Sequence, residues 1–299
     1  MKFPFLGGKN SKPHCAIYLK SDRVVLAYKK ADEEHLIEQS VNSMKDWQPA
    51  CQDLIQDADL SNHSVLIILS SEHYQLIQIE KPEVPEEELG SALPWAVKDM
   101  LAEDPGFYVL DYYHCVTANN TPQRINVVAV LRSLVVNLVA MFEELSLSLS
   151  AISCENVVLG NLLAKDDKTR LLLWQTAHSE LEILVVCNTD IVFQRQLRGY
   201  SNLSSMQEIE FNNEMFDNLS LELQRSIDYL RSTLKQSAVS NIEVAISSAY
   251  VDSICTRLQD NFSIPVKSVS YELEASSTYK LESKKFCRLA AIAGLREEL

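Results

Sequence analysis

Residues 171–197, LLLWQTAHSELEILVVCNTDIVFQRQL, contain three apolar runs: Leu171–Trp174, Leu181–Val186 and Ile191–Phe193. Two polar segments, Gln175–Glu180 and Cys187–Asp190, separate them. Short runs rich in β-branched and large apolar residues, bounded by turn residues, read as consecutive antiparallel strands. This meander opens the second half of the chain, and the rest is read outward from it.

On the C-terminal side, 199–213 is polar and rich in Ser and Asn, as in a surface loop. In 215–234, Phe216, Leu219, Leu223, Ile227, Leu230 and Leu234 recur every three or four residues, which predicts an amphipathic helix. A strand at Ile242–Ile246, a helix over 251–261, a short strand over 264–269 and an Ala-rich helix over 286–295 follow.

On the N-terminal side, Cys15–Tyr18 and Arg23–Lys29 form a hairpin pattern, and 40–56 is helical around Trp47, Cys51, Leu54 and Ile55. Ser64–Leu69 (SVLIIL) reads as a strand buried on both faces, and Tyr74–Ile79 alternates like a half-buried one. The stretch 86–102 reads as a helix with an acidic first turn, Glu86-Glu87-Glu88, that complements the helix dipole. Leu89, Leu93, Val97 and Met100 form its core face. Trp95 lies about 200° from Leu93 at the helical period and so falls off that stripe; Pro94 interrupts the helix. Strands over 107–117 and 123–131, a helix over 134–145, a short strand at 150–152 and a helix over 156–164 complete the first half. The charged segment Lys165–Lys168 is the expected boundary. Two successions of strands followed by helices suggest an α/β or α+β architecture rather than a β-sandwich, and the length suggests two domains.

Composition narrows the function. A net charge of −14 argues against nucleic acid and against unaided binding to an anionic membrane, both of which call for a basic patch. Seven scattered cysteines, with no CxxC and no metal-ligand spacing, fit reduced thiols in a cytosol. No signal peptide is read at the N-terminus, and the most apolar window, Ile125–Phe142, is broken by Arg132 and Asn137 and is rejected as a membrane span. Seven glycines in 299 residues fall well below the usual share of about 7%. Phosphate-cradling turns use glycine where backbone must approach the ligand.

Four stretches carry a resemblance to a family. They are Leu221–Tyr229 (LELQRSIDY), with Glu222, Arg225, Ser226 and Tyr229 at the matching positions; Leu110–Tyr112; Val127–Val130; and Ala291–Arg296 (AIAGLR). With the order of elements, they resemble the PilM-like, FtsA-related group of actin-like proteins from type IV pilus machinery. The resemblance implies an α/β, two-lobed actin-like ATPase (ribonuclease H-like) fold with an inserted small α+β subdomain. The first lobe would cover 1–168, with the insertion at about 80–149, and the second 169–299. It also implies a cytoplasmic scaffold, peripheral to the inner membrane, that binds the short N-terminal tail of a bitopic, PilN-like pilus-assembly protein. The groove for that tail would lie between the first lobe and the insertion, with Trp95 as the candidate partner-binding residue.

The departures from this family concern nucleotide. Active members carry Gly-x-Asp-x-Gly in the first hairpin, where this chain has Ala16–Asp22 with no glycine. They carry Asp-x-Gly in the first turn of the second-lobe meander, where it has Gln175–Glu180. They carry Gly-Gly after the later strand, where it has Ser247-Ser248. Each change adds a Cβ where phosphate or base would meet backbone, and the expected Mg²⁺ ligand is lost. The chain is therefore expected to be no enzyme, with no catalytic, cofactor-binding or metal-ligating residues. The alternatives are a diverged weak ATP-binding relative and the cytoplasmic part of a GspL-like type II secretion protein. Against the latter stands the lack of a membrane span before Leu299. Rival chemistry is weak: there is no Walker A, GxGxxG, G-x-S-x-G or HExxH. Cys154-Glu155-Asn156 are neighbours that do not face one another; His178, in a turn beside Glu180 and Glu182, could serve as a general base, but a surface His in a hairpin turn is the commoner case; and His14-Cys15 and His114-Cys115 are adjacent pairs, not ligand spacings.

Overall fold

The structure is a computed structural model that describes residues 15–30, 33–60, 63–115, 122–164, 166–175, 179–187, 190–269 and 286–297. Its strands are β1 (Cys15–Lys20), β2 (Arg23–Lys30), β3 (Glu33–Ser40), β4 (Ser64–Leu69), β5 (Tyr74–Glu80), β6 (Tyr108–His114), β7 (Arg124–Leu131), β8 (Ser148–Cys154), β9 (Thr169–Gln175), β10 (Leu181–Cys187), β11 (Asp190–Leu197), β12 (Val239–Ile246) and β13 (Val266–Ser268). Its helices are α1 (Trp47–Ala58), α2 (Glu86–Ala96), α3 (Arg132–Glu144), α4 (Glu155–Val158), α5 (Asn213–Ser232), α6 (Val251–Gln259) and α7 (Phe286–Leu295).

Two five-stranded sheets have the same order, β3-β2-β1-β4-β8 and β11-β10-β9-β12-β13. In each, an antiparallel meander of three strands is followed by two parallel ones. Parallel strands need crossover connections, and β1 and β9, each at the centre of its sheet, are buried along their whole length. This duplicated arrangement is the one the resemblance implies. The edge strand β3 (EEHLIEQS) was not anticipated. It pairs only with β2, and its charges suit an edge, where an apolar strand would invite foreign pairing.

A third, antiparallel sheet, β5-β7-β6, forms the insertion. It starts at Tyr74 rather than near residue 80, because β5 pairs with β7 along its length. It ends with α3, because β8 pairs in parallel with β4 and so belongs to the first large sheet. Strand alternation splits β6 between two faces. Tyr108 and Leu110 pack with Ile77, Ile79, Ile125, Val127 and Ala129 against Leu89, Leu93 and Val97 of α2 and its C-terminal turn, leaving the opposite face to another layer. Met100, expected in this core, is 51% exposed. The α-helix ends at Ala96, and a 3₁₀ turn over Lys98–Met100 turns it outward.

By contacts, the described chain divides into two compact units. One holds residues up to 115, 122–159 and 290–297; the other holds 160–289. The first unit thus takes the end of α7, which the sequence reading had placed in the second lobe. Ala290–Ala293 are fully buried, and Gly294 lies so close to β4 that a Cβ would sit 2.1 Å from Ile68 Cδ1. No helix among the described residues is long and apolar enough to cross a membrane.

Candidate functional site

Two kinds of place bear on function: the turns at which the resembled family is expected to hold nucleotide, and a cavity beside the inserted sheet. The β1–β2 turn is closed by the protein's own charges. Lys20, only 6% exposed, has its ammonium 3.2 Å from Glu72 Oε1 and 3.5 Å from Asp22 Oδ1. The Ser21 backbone N–H donates to Glu72 Oε2 at 3.2 Å. Trp47 Nε1–H donates to the Lys20 carbonyl at 2.9 Å, bracing the turn on α1. Burial would raise the Glu72 carboxyl, but the bond from Ser21 and the Lys20 charge hold it below its ordinary value.

Residues 176–178 of the meander's first turn, His178 among them, lie outside the described residues, so the expectation of a plain turn at 175–180 is seen only at its flanks. There, the buried Gln175 Nε2 donates to the carbonyls of Ser179 (2.8 Å) and Tyr200 (2.7 Å). Glu180 Oε2 accepts from the N–H groups of Gly199 (3.0 Å) and Tyr200 (3.2 Å). Gly199 adopts φ 91°, a conformation suited to glycine. After β12, the Ser248 N–H donates to the Ile246 carbonyl at 2.8 Å, and the Tyr250 N–H to Ser248 Oγ at 3.1 Å, closing the turn into α6.

Of the residues matching the pilus-family helix, Glu222 bonds Arg225 on the same turn of α5 and also Arg195 of β11 at 2.6 Å. Ser226 Oγ accepts from Arg195 as well, at 3.3 Å. The group is therefore a clasp between α5 and β11, broader than the intrahelical pair its spacing suggests. In Cys154-Glu155-Asn156, burial pushes the Cys154 thiol up to about 12, which removes it as a nucleophile at neutral pH. Glu155 is fully buried and accepts from Tyr18 Oη (2.7 Å) and the Ser71 N–H (2.9 Å), tying the start of α4 to β1 and to the turn after β4. His14 lies outside the described residues. His114 Nε2 is 2.9 Å from Glu86 Oε1, which also accepts from Tyr112 Oη, while Glu86 Oε2 bonds Lys81 at 2.6 Å. Bonds from Lys81, Tyr112 and His114 bring the Glu86 carboxyl down to about 2. The acidic helix start is solvated, as expected, and Glu86 also ties it to β6.

The cavity has a volume of about 270 Å³ and lies within the first unit, between the inserted sheet, α3 and the β4–β8 edge of the large sheet. The β6–β7 register sets Val109 opposite Val130 and Asp111 opposite Val128, so these four share the face turned away from α2. Arg132, Val135, Val136 and Val139 add one stripe of α3 at helical spacing, and Leu69 and Ile152–Cys154 close the far side. Val136, 58% exposed, marks the mouth. Asp111 is 9% exposed; its Oδ1 accepts the Tyr112 N–H at 2.8 Å, and its Oδ2 is buried with no partner. Ser153 Oγ is also buried without a partner. Burial pushes the Asp111 carboxyl up to about 6. Trp95 is not among the lining residues; it stands 86% exposed on α2. Asp111 escaped the sequence reading, although a lone acid alternating with apolar residues along a strand was its signal.

No protein-family model and no curated protein matches this chain. Solved structures do. A PilM–PilN type IV pilus biogenesis complex superposes with a TM-score of 0.66 at 13% identity, covering 96% of this chain and 98% of that one. A Bacteroides thetaiotaomicron protein of actin-like ATPase fold and unknown function gives 0.51 at 10% identity, over 86% and 90%. The cytoplasmic domain of EpsL, an inner-membrane component of the Vibrio cholerae type II secretion system, gives 0.49 at 13% identity, over 95% of each chain. The fold is the actin-like ATPase fold, as the sequence reading expected.

Proposed function

We propose that this protein is a non-catalytic cytoplasmic scaffold of type IV pilus biogenesis, of the mannose-sensitive haemagglutinin type and MshI-like, held at the inner membrane through a partner. The partner is a bitopic assembly protein, PilN-like or MshJ-like, whose N-terminal cytoplasmic tail enters the cavity between the inserted sheet and the β4–β8 edge. The cavity carries this reading. It is apolar-walled, open at one end, and contains buried polar atoms that the fold leaves unpartnered. Pockets of this kind suit a short segment with apolar side chains and a few placed polar groups. The fold shared with the PilM of a PilM–PilN complex supports the same assignment.

The non-catalytic part rests on the turns. In the β1–β2 turn, Ser21 gives its N–H to Glu72, and Lys20 is neutralised by Glu72 and Asp22. Little is left there to hold a phosphate. Two measurements test the proposal. Mg-ATP is expected to leave the melting temperature unchanged, and a clear rise would overturn the non-catalytic reading. The cytoplasmic tails of inner-membrane pilus proteins are expected to retain the wild-type chain in a pull-down but not Val139→Glu, which puts a charge into the cavity. Equal retention of both would exclude the cavity.

A further inference from the structure

The cavity wall is apolar except at one place. Val109, Val128, Val130, Val135, Val139 and Leu69 supply hydrocarbon, and Asp111 and Ser153 supply two buried oxygens with no partner. A buried carboxylate oxygen left without a hydrogen bond is costly, and a buried charge without a counter-charge costs more. The other charged lining residue does not relieve it. The guanidinium of Arg132 donates to the carbonyls of Gly106 (3.1 Å) and Tyr108 (3.0 Å). A neutral hydrogen-bond donor would satisfy Oδ2 but leave the charge uncompensated. A compact ammonium answers both needs, since it brings a counter-charge and three N–H donors for the unpartnered oxygens while an aliphatic stem lies along the valines. The chain's net charge of −14 also favours a basic ligand.

We infer that the tail occupying this cavity inserts one lysine side chain, flanked by apolar residues, whose ammonium pairs with Asp111 and Ser153. This specifies the partner's chemistry and rests on the tail-binding reading. Asp111 is then the residue that sets specificity. Binding also acquires a pH dependence. Among the groups facing Asp111, Cys154 of β8 stays a neutral thiol, Arg132 of α3 gives its guanidinium to the Gly106 and Tyr108 carbonyls, and β4 and β7 contribute only apolar residues. The pairing therefore weakens only as Asp111 itself takes up a proton, below a pH of about 6.

The test uses the full chain and small probes, so that it does not depend on knowing the partner. n-Pentylammonium and 1-pentanol, similar in size, are titrated at pH 7.5 and followed by thermal shift and chemical-shift mapping. The ammonium is expected to bind at least tenfold more tightly than the alcohol, with shifts centred on Asp111 and Ser153. The preference should be lost in Asp111→Asn, reduced in Ser153→Ala and diminished at pH 5. Equal binding of the two probes, a preference that survives Asp111→Asn, or no binding of either overturns the lysine assignment. If pilus tails bind in a pull-down but the ammonium preference is missing, only the lysine assignment fails. If the ammonium binds as described but no pilus tail is retained, the pilus reading fails and the cation site stands.

Discussion

Replacing Asp111 by Asn should make the protein more stable at neutral pH and not at acidic pH. The change keeps the shape of the side chain and removes the charge. The wild-type carboxyl titrates at about 6 in the fold, against 3.8 for an unperturbed aspartate. A carboxyl raised in the folded state binds its proton more tightly there than in the unfolded chain. Its ionised form therefore costs stability; the cost is absent below 3.8, grows between 3.8 and 6, and is complete above 6. At about 1.4 kcal/mol per pH unit, the full displacement would amount to about 3 kcal/mol. Asp111 is 9% exposed, but the cavity it lines opens to water past Val136, so about 1–2 kcal/mol is the better expectation. Urea denaturation of both proteins at pH 4, 5, 6 and 7.5 measures the difference directly and cancels the other carboxylates. Asp111→Asn should gain about 1–2 kcal/mol at pH 7.5 and close to nothing at pH 4. A loss of stability at pH 7.5, or a difference that does not change with pH, would refute the account of Asp111 as an uncompensated buried acid.

Other sites give independent checks. Glu72→Gln should cost about 1–2 kcal/mol at pH 7, because Lys20 loses its nearer counter-charge while Glu72 itself is partly solvated. Since the Glu72 carboxyl is held below its ordinary 4.5, its contribution exists above that value and fades as pH falls; chemical denaturation at pH 7 and pH 3.5 should show the gap closing. Gly294→Ala should cost about 1–3 kcal/mol, because the added methyl meets Ile68, and calorimetry should show the drop in melting temperature. Trp95→Ala should leave the melting temperature within about 1 °C, since the ring is 86% exposed, and should leave capture of the partner's tail unchanged, since α2 packs on the face of the inserted sheet opposite the cavity. A roughly tenfold loss of capture would return Trp95 to the interface and extend that interface beyond the cavity.

The large sheets were readable because their strands are continuous apolar runs. SVLIIL and LLLW are short apolar runs of strand rather than helix length, and they became β4 and part of β9. The inserted sheet was readable as strands but not in extent. That Tyr74–Glu80 pairs with β7, and Ser148–Cys154 with β4, depends on contacts distant in sequence, which periodicity does not encode. β3 was missed because an edge strand needs no apolar pattern. The end of α7 has its contacts in the first unit for a related reason: its Ala-rich face says only that it is buried, and the fit of Gly294 on Ile68 decides where. The cavity was placed by resemblance, whereas its key residue is a matter of alternation. Val109 and Asp111 share the face opposite Tyr108 and Leu110, and only the register shows that this face looks onto α3 and β8.

The turns and the cavity treat their polar groups in opposite ways. A turn that receives phosphate keeps backbone N–H groups open toward the ligand. Here Glu72 occupies the N–H of Ser21, and Glu180 occupies those of Gly199 and Tyr200. Each carboxylate is tethered to the chain, so it is present at high effective concentration, and an incoming anion would have to displace a like charge. Asp111 and Ser153 present the reverse case, with buried oxygens that nothing in the described chain satisfies. A fold keeps such atoms at a cost in stability, and binding a donor there recovers it. The same substitution, Asp111→Asn, should therefore raise stability and lower tail affinity together. A variant that gained stability while binding the tail as well as the wild type would separate the cavity's strain from its function.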